Sequence, residues 1–287
     1  MNCETKIDLY EYFGLKRLPN GAGYLNSYIL DNYPEHAPTR VRPAIIVFPG
    51  GGYWMRSQRE EEIVALSYLS QGFQAFTIEY SVTRECPQAK HPIMLIEAAM
   101  AIAYVRIHAD KYNIDKDKIG VIGFSAGGHL AGSILTVFDD DVIKDALKDN
   151  AQYCRPDFGV LSYPVITLGK ETHQGTSDEV SGKDPDIIER LSIQNRVTEN
   201  TPPTFIWTTA EDNVVPPVNS LLMAMELSRH KVPFELHVYQ KGEHGISLAI
   251  EETSGKTQPY FVSKENQEWF IKSVEFLKRN GFVREDK

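Results

Sequence analysis

At 287 residues, with 42% hydrophobic and 24% charged residues, the chain has the size and composition of a globular protein built on one core, not of a disordered or fibrous chain. A formal net charge of −9 argues against nucleic acid or an anionic membrane as partner, because an acidic surface repels phosphate. No apolar run approaches the ~18 residues of a membrane span, and the acidic start MNCETKIDLYEYFG lacks the basic and apolar regions of a signal peptide, so a cytoplasmic location is expected. Cys3, Cys86 and Cys154 are widely spaced and contain no CxxC pair, which gives neither a disulfide framework nor a metal site.

In chain order, Tyr24 to Leu30 reads as a strand, and PAIIVFP (Pro43 to Pro49) as a buried parallel strand, apolar at consecutive positions. Ile63, Leu66 and Leu69 recur at spacings of three and predict a helix over Arg59 to Ser70, ended by Gly72. Phe73 to Tyr80 is the next strand. Ile93 to Tyr112 reads as a buried helix with Pro92 in its first turn. Strand KIGVIGF, helix Ala126 to Phe138, strands FGVLSYP and TFIWTTA, helix Val218 to His230, strand FELHVYQ and helix Gln267 to Arg279 complete the series. Such alternation predicts an α/β fold with a mostly parallel sheet covered on both faces. The polar stretch Val165 to Pro203, with one short helical pattern at Asp186 to Leu191, reads as a small insertion above the carboxyl edge of the sheet in a single-domain chain.

GFSAGGHL, Gly123 to Leu130, places Ser125 between a strand and a helix in the pattern G-x-S-x-G. In that context the pattern describes a nucleophile elbow, in which Gly123 and Gly127 remove side chains that would clash and the serine hydroxyl stands clear. The competing reading is a glycine-rich turn that merely packs helix on sheet. FPGGGYW, Phe48 to Trp54, follows a buried strand with three glycines in a row. Those residues contribute no packing, so the backbone N–H groups of Gly51 and Gly52, with that of Ala126, are the candidate donors for a developing oxyanion. The alternatives are a flexible loop or a phosphate-binding turn, and the latter lacks the Lys-Ser/Thr of a P-loop.

Of the eight histidines, His244 in KGEHGIS is the candidate base, because flanking glycines let an imidazole reach over the sheet edge. His237 lies in a strand, His108 and His230 on or at the end of helices, and His36 and His91 precede the elbow. His129, one turn beyond Ser125, is expected to pack beneath it. His173 is a candidate substrate contact or a solvated loop residue. AEDNVVP, after the strand TFIWTTA, supplies an orienting carboxylate, Asp212 in preference to Glu211 because D-x-x-V-P forms a turn into the next helix. Tyr53 and Trp54 either wall the acyl pocket or belong to the core.

With these residues placed, the stretch from Val41 to Leu248 resembles the α/β-hydrolase superfamily, and within it short-chain esterases with a PGGGY-type oxyanion loop, including bacterial acetyl-xylan esterase-like enzymes. The loop of lipase-like relatives begins with His, where this chain has Pro49. The resemblance implies acyl transfer by a Ser125, His244, Asp212 triad without metal or organic cofactor, on short acyl esters of a small molecule or oligosaccharide. An exopeptidase of the same fold, which would need an amine-binding acidic pair, and a non-catalytic binding protein are the other readings.

Overall fold

The computed structural model describes residues 2–35, 37–255 and 261–283, with side chains from Lys6 onward. The Cys3 side chain and His36 lie outside the described residues. The described elements are β1 (Asn2–Asp8), α1 (Leu9–Phe13), β2 (Tyr24–Ile29), β3 (Arg42–Phe48), α2 (Glu62–Ser70), β4 (Gln74–Glu79), α3 (Ile93–Ile107), β5 (Ile114–Phe124) and α4 (Ala126–Val137). They continue with α5 (Asp141–Leu147), β6 (Phe158–Ser162), α6 (Gln174–Ser181), α7 (Pro185–Leu191), β7 (Thr204–Thr209), α8 (Val218–Arg229), β8 (Phe234–Tyr239) and α9 (Lys264–Arg279). The strands form one sheet in the order β1-β2-β4-β3-β5-β6-β7-β8. β2 is antiparallel to both of its neighbours, and every pair from β4 to β8 is parallel.

All seven residues of β3 are buried, which is why its sequence shows no alternation. Ile46 and Phe48 face one core with α3, α4 and α8, whereas Ile45 and Val47 face a second core with α2 and α9. Each such side chain contributes roughly 1.5–3 kcal/mol by leaving water, so the centre of the sheet is its most rigid part. β5 lies there, and Ser125 follows it directly.

The close fit of α4 on the sheet depends on glycine. A Cβ on Gly127 would stand 2.7 Å from the Pro49 carbonyl carbon and closer still to the carbonyl oxygens of Phe48 and Pro49. Backbone atoms cannot swing aside, so Gly127→Ala is expected to destabilise the fold by about 2–3 kcal/mol. Thermal unfolding followed by circular dichroism should show a Tm lower by about 5–10 °C; a Tm within about 2 °C of the parent would refute this packing argument.

Several sequence expectations are corrected. The helix expected from Arg59 begins at Glu62, because Gln58–Glu60 forms a 3-10 turn that directs the Glu60 carboxylate inward. α3 ends at Ile107, not Tyr112, as the chain reverses through Asn113, at φ 53°, to enter β5. β5 begins four residues before Lys118, with a register shift against β3 between Arg42 and Ala44. β1, α1 and α5 were not anticipated. Between β6 and β7 there are two helices, not one, since α6 precedes the expected α7. Among the described residues no helix is long and apolar enough to cross a membrane.

Candidate active site

Four chain segments meet at the carboxyl ends of β5 to β8. Ser125, between β5 and α4, has φ 52° and ψ −118°, a left-handed conformation that a side-chain-bearing residue adopts only when its surroundings enforce it. Enforcement comes from both sides: the Ser125 N–H donates to Ser162 O at 3.0 Å, and its carbonyl accepts from Val165 N–H at 3.1 Å. The hydroxyl is thereby presented to His244, whose Nε2 lies 2.8 Å from Ser125 Oγ. On the other side of the ring, Nδ1 lies 2.7 Å from Asp212 Oδ2.

Asp212 is 4% exposed, and its second oxygen accepts the N–H groups of Val214 and Val215 at 2.9 and 2.8 Å. That turn explains the choice of acid, since neighbouring Glu211 points into solvent. An ionised Asp212 can only accept, so Nδ1 carries a proton and Nε2 faces the serine with its lone pair. The arrangement can therefore remove a proton from Ser125 Oγ.

The loop after β3 lies beside this serine. Gly51 and Gly52 have φ 123° and 67°, and their N–H groups have no acceptor among the described residues. Ala126 is the first residue of α4, so the helix itself leaves its N–H unpaired and places its positive end there. Gly50 differs: its N–H donates to Glu60 Oε2 at 2.8 Å.

Above Ser125 opens a cavity of about 590 Å³, bordered by Gly51, Gly52, Trp54, His173 and His244. Trp54 is 49% exposed, with the Arg84 guanidinium 5.0 Å from its ring centre. Tyr53 does not wall the cavity. It is 1% exposed, and its hydroxyl donates to His129 Nδ1 at 2.8 Å, because φ 60° turns the ring into the core. His129 sits beneath the elbow and donates from Nε2 to Leu191 O at 2.9 Å; burial pushes its pKa down to about 4, so the ring stays neutral.

His173 caps α6, its Nδ1 accepting the Thr176 N–H at 3.2 Å. Burial and the neighbouring His244 hold its pKa below the ordinary value, against an opposing effect of Asp212. Nδ1 being an acceptor, Nε2 carries the proton of the neutral ring, and His173 borders the cavity. Two carboxylates also border it, Glu60 and Glu179. Glu60 already accepts from Gly50 and, at 2.7 Å, from the Tyr163 hydroxyl. Sequence reasoning missed both Glu60 and Tyr163, since a buried acid inside the charged run SQREEEI has no distinguishing signal.

The BD-FAE family model matches residues 30–227. The chain is 40% identical over 219 residues to endo-1,4-beta-xylanase B of Butyrivibrio fibrisolvens, a match covering 74% of this chain and 33% of that protein. It is 32% identical over 223 residues to an acetylxylan esterase of Xylanibacter ruminicola, covering 75% and 42%. Both relatives are thus more than twice as long as the part they share with this chain. Among solved structures, the acetyl ester-xyloside bifunctional hydrolase of Caldicellulosiruptor lactoaceticus superimposes with a TM-score of 0.81 at 38% identity, over 97% of each chain. The sheet order, the elbow after β5 and these matches together establish that the chain belongs to the BD-FAE family and has the α/β-hydrolase fold.

Proposed function

We propose that the protein is a serine carboxylesterase that removes acetyl or other short acyl groups from carbohydrate esters. The observation that supports this most directly is the unbroken hydrogen-bonded chain from Asp212 through His244 to Ser125, beside backbone N–H groups that have no acceptor of their own. In the first step His244 Nε2 takes the Ser125 proton as Oγ bonds to the ester carbonyl carbon. The carbonyl oxygen becomes an oxyanion held by the N–H groups of Gly51, Gly52 and Ala126, each worth roughly 3 kcal/mol of barrier. Asp212 stabilises the imidazolium. Collapse breaks the bond to the alcohol, which leaves with the proton from Nε2. Water, deprotonated by the same ring, then attacks the acyl-enzyme; the free acid departs and Ser125 regains its proton.

The sugar half of the reading is supported by the three relatives described above, all of them named for xylan or xyloside substrates, and by the cavity that opens beside Trp54. His173 Nε2–H and the Trp54 face are the groups assigned to the alcohol portion. An exopeptidase would need a free acidic pair, and Glu60 is engaged by Gly50 and Tyr163. Kinetics on p-nitrophenyl esters of rising chain length should show kcat/KM for acetate at least about tenfold above octanoate, since each misfitted methylene is worth ~1 kcal/mol or more. Acetate should also be released from acetylated xylo-oligosaccharides. A preference for octanoate with no deacetylation of the sugar would overturn the substrate assignment.

A further inference from the structure

Glu60 is a buried acid that acyl transfer as written above does not use, and it is 2% exposed. One oxygen accepts from Gly50, the residue before the donor loop, and the other accepts the Tyr163 hydroxyl. That hydroxyl oxygen in turn accepts the Ser247 N–H at 2.9 Å, three residues beyond His244. The Tyr163 ring stands edge-on to the His244 ring, with centroids 5.0 Å apart. Gly50 itself has no room for a side chain: a Cβ there would lie 2.7 Å from Glu60 Oε2 and 3.0 Å from Ser125 Cβ. One carboxylate therefore ties three segments together: the loop that supplies the oxyanion donors, the end of β6 and the loop that carries His244.

The donors also define its charge. Burial, the nearby Glu60 charge and the hydrogen bond to it hold the Tyr163 phenol proton firmly, so the phenol donates. Burial raises the Glu60 pKa, while Tyr163, Gly50, His244 and Arg59 oppose that rise, and both hydrogen bonds aimed at the carboxyl call for the ionised form. The titratable groups around the His244 ring are Asp212 after β7, Tyr163 after β6, His173 at the start of α6 and Glu60, with Arg59 beside Glu60 and the exposed Glu211 and Glu243 outside.

We propose that Glu60 is a positioning residue of this site: through Gly50 and Tyr163 it fixes the donor loop relative to the His244 loop. The inference rests on the acyl-transfer reading. It assigns a second carboxylate to the site, one that acts through the scaffold without a hydrogen bond to the imidazole.

The test is Glu60→Gln in the full chain, assayed on p-nitrophenyl acetate. Glutamine keeps the size of the side chain but turns an N–H toward one of the two donors, so that tie is lost. At neutral pH kcat should fall about 10- to 100-fold with KM little changed, as for a misplaced donor or base. Glu60→Asp is too short to reach both donors and should lose kcat in the same way. A kcat within about twofold of the parent in Glu60→Gln, or a loss that appears in KM and not in kcat, overturns the proposal. If that variant does not fold, Tyr163→Phe keeps the question decidable: it should lower kcat at constant KM, and an unaltered kcat overturns the proposal. Labelling with a fluorophosphonate separates the two levels. If the parent chain does not label at Ser125, the esterase reading fails. If the parent labels and both variants match its kinetics, only the role of Glu60 fails.

Discussion

Ser125→Ala is expected to abolish fluorophosphonate labelling and to lower kcat on p-nitrophenyl acetate by about 10⁴- to 10⁶-fold. The size of the effect follows from the chemistry, because without Oγ there is no atom to form the acyl-enzyme, and only the oxyanion donors remain to help water. The substitution is also a clean one. Alanine meets the same left-handed backbone that Ser125 already occupies, and the hydrogen bonds that enforce it come from the Ser125 N–H and carbonyl, which alanine retains. The lost hydroxyl is bonded to His244 and to no core group. Tm should therefore stay within about 2 °C, so that loss of rate and loss of fold are separable by calorimetry. Intact-mass analysis showing a labelled alanine variant, or retention of more than about 1% of parental kcat, would remove Ser125 from the role of nucleophile.

Asp212→Asn is the second large effect, about 10⁴-fold in kcat with KM near the parental value. Asparagine Oδ1 can still accept the N–H groups of Val214 and Val215, so the turn into α8 survives. Its amide then faces His244 Nδ1 with N–H donors where the carboxylate had offered a lone pair. To satisfy them Nδ1 gives up its proton, Nε2 becomes protonated, and the ring presents N–H to Ser125 in place of a base. Glu211→Gln should change kcat less than about twofold, because that side chain is exposed and its nearest hydrogen bond, to Gly242 N, is 3.5 Å long. Reversal of these two outcomes would transfer the orienting role to Glu211.

The parts of the molecule legible in the sequence are those whose physics is local or periodic. β3 is readable as an unbroken apolar run, and Gly123 and Gly127 as residues demanded by a tight crossing. The segment around Asp212 is readable from its turn chemistry, and the position of His244 from its flanking glycines. α6 was invisible for the opposite reason. Its buried face consists of Thr176, Ser177, Val180 and Ser181, docked by hydroxyls such as Ser177 Oγ donating to Leu168 O at 2.9 Å, so no hydrophobic stripe exists to detect. Its N-cap is a histidine, outside the usual Ser, Thr, Asp and Asn set. The first half of β5, IDKDK, is polar because much of it faces solvent, and it looks like a loop until β3 pairs with Ile114. Tyr53 stays undecided in the sequence, between pocket wall and core, because two adjacent aromatics in one loop have opposite fates, decided by a positive φ that composition does not reveal. Glu60 and Tyr163 are 103 residues apart, and only the folded chain shows that they touch.

Trp54 has a consequence for how this architecture can diversify. Its indole is half in solvent and leans on Arg84, which is itself exposed, while the neighbouring Tyr53 anchors the same loop in the interior. On the proposed reading, in which Trp54 meets the alcohol portion, exchanging the two outer residues changes which alcohols fit while the anchored partner and the Ser125, His244 and Asp212 arrangement stay in place.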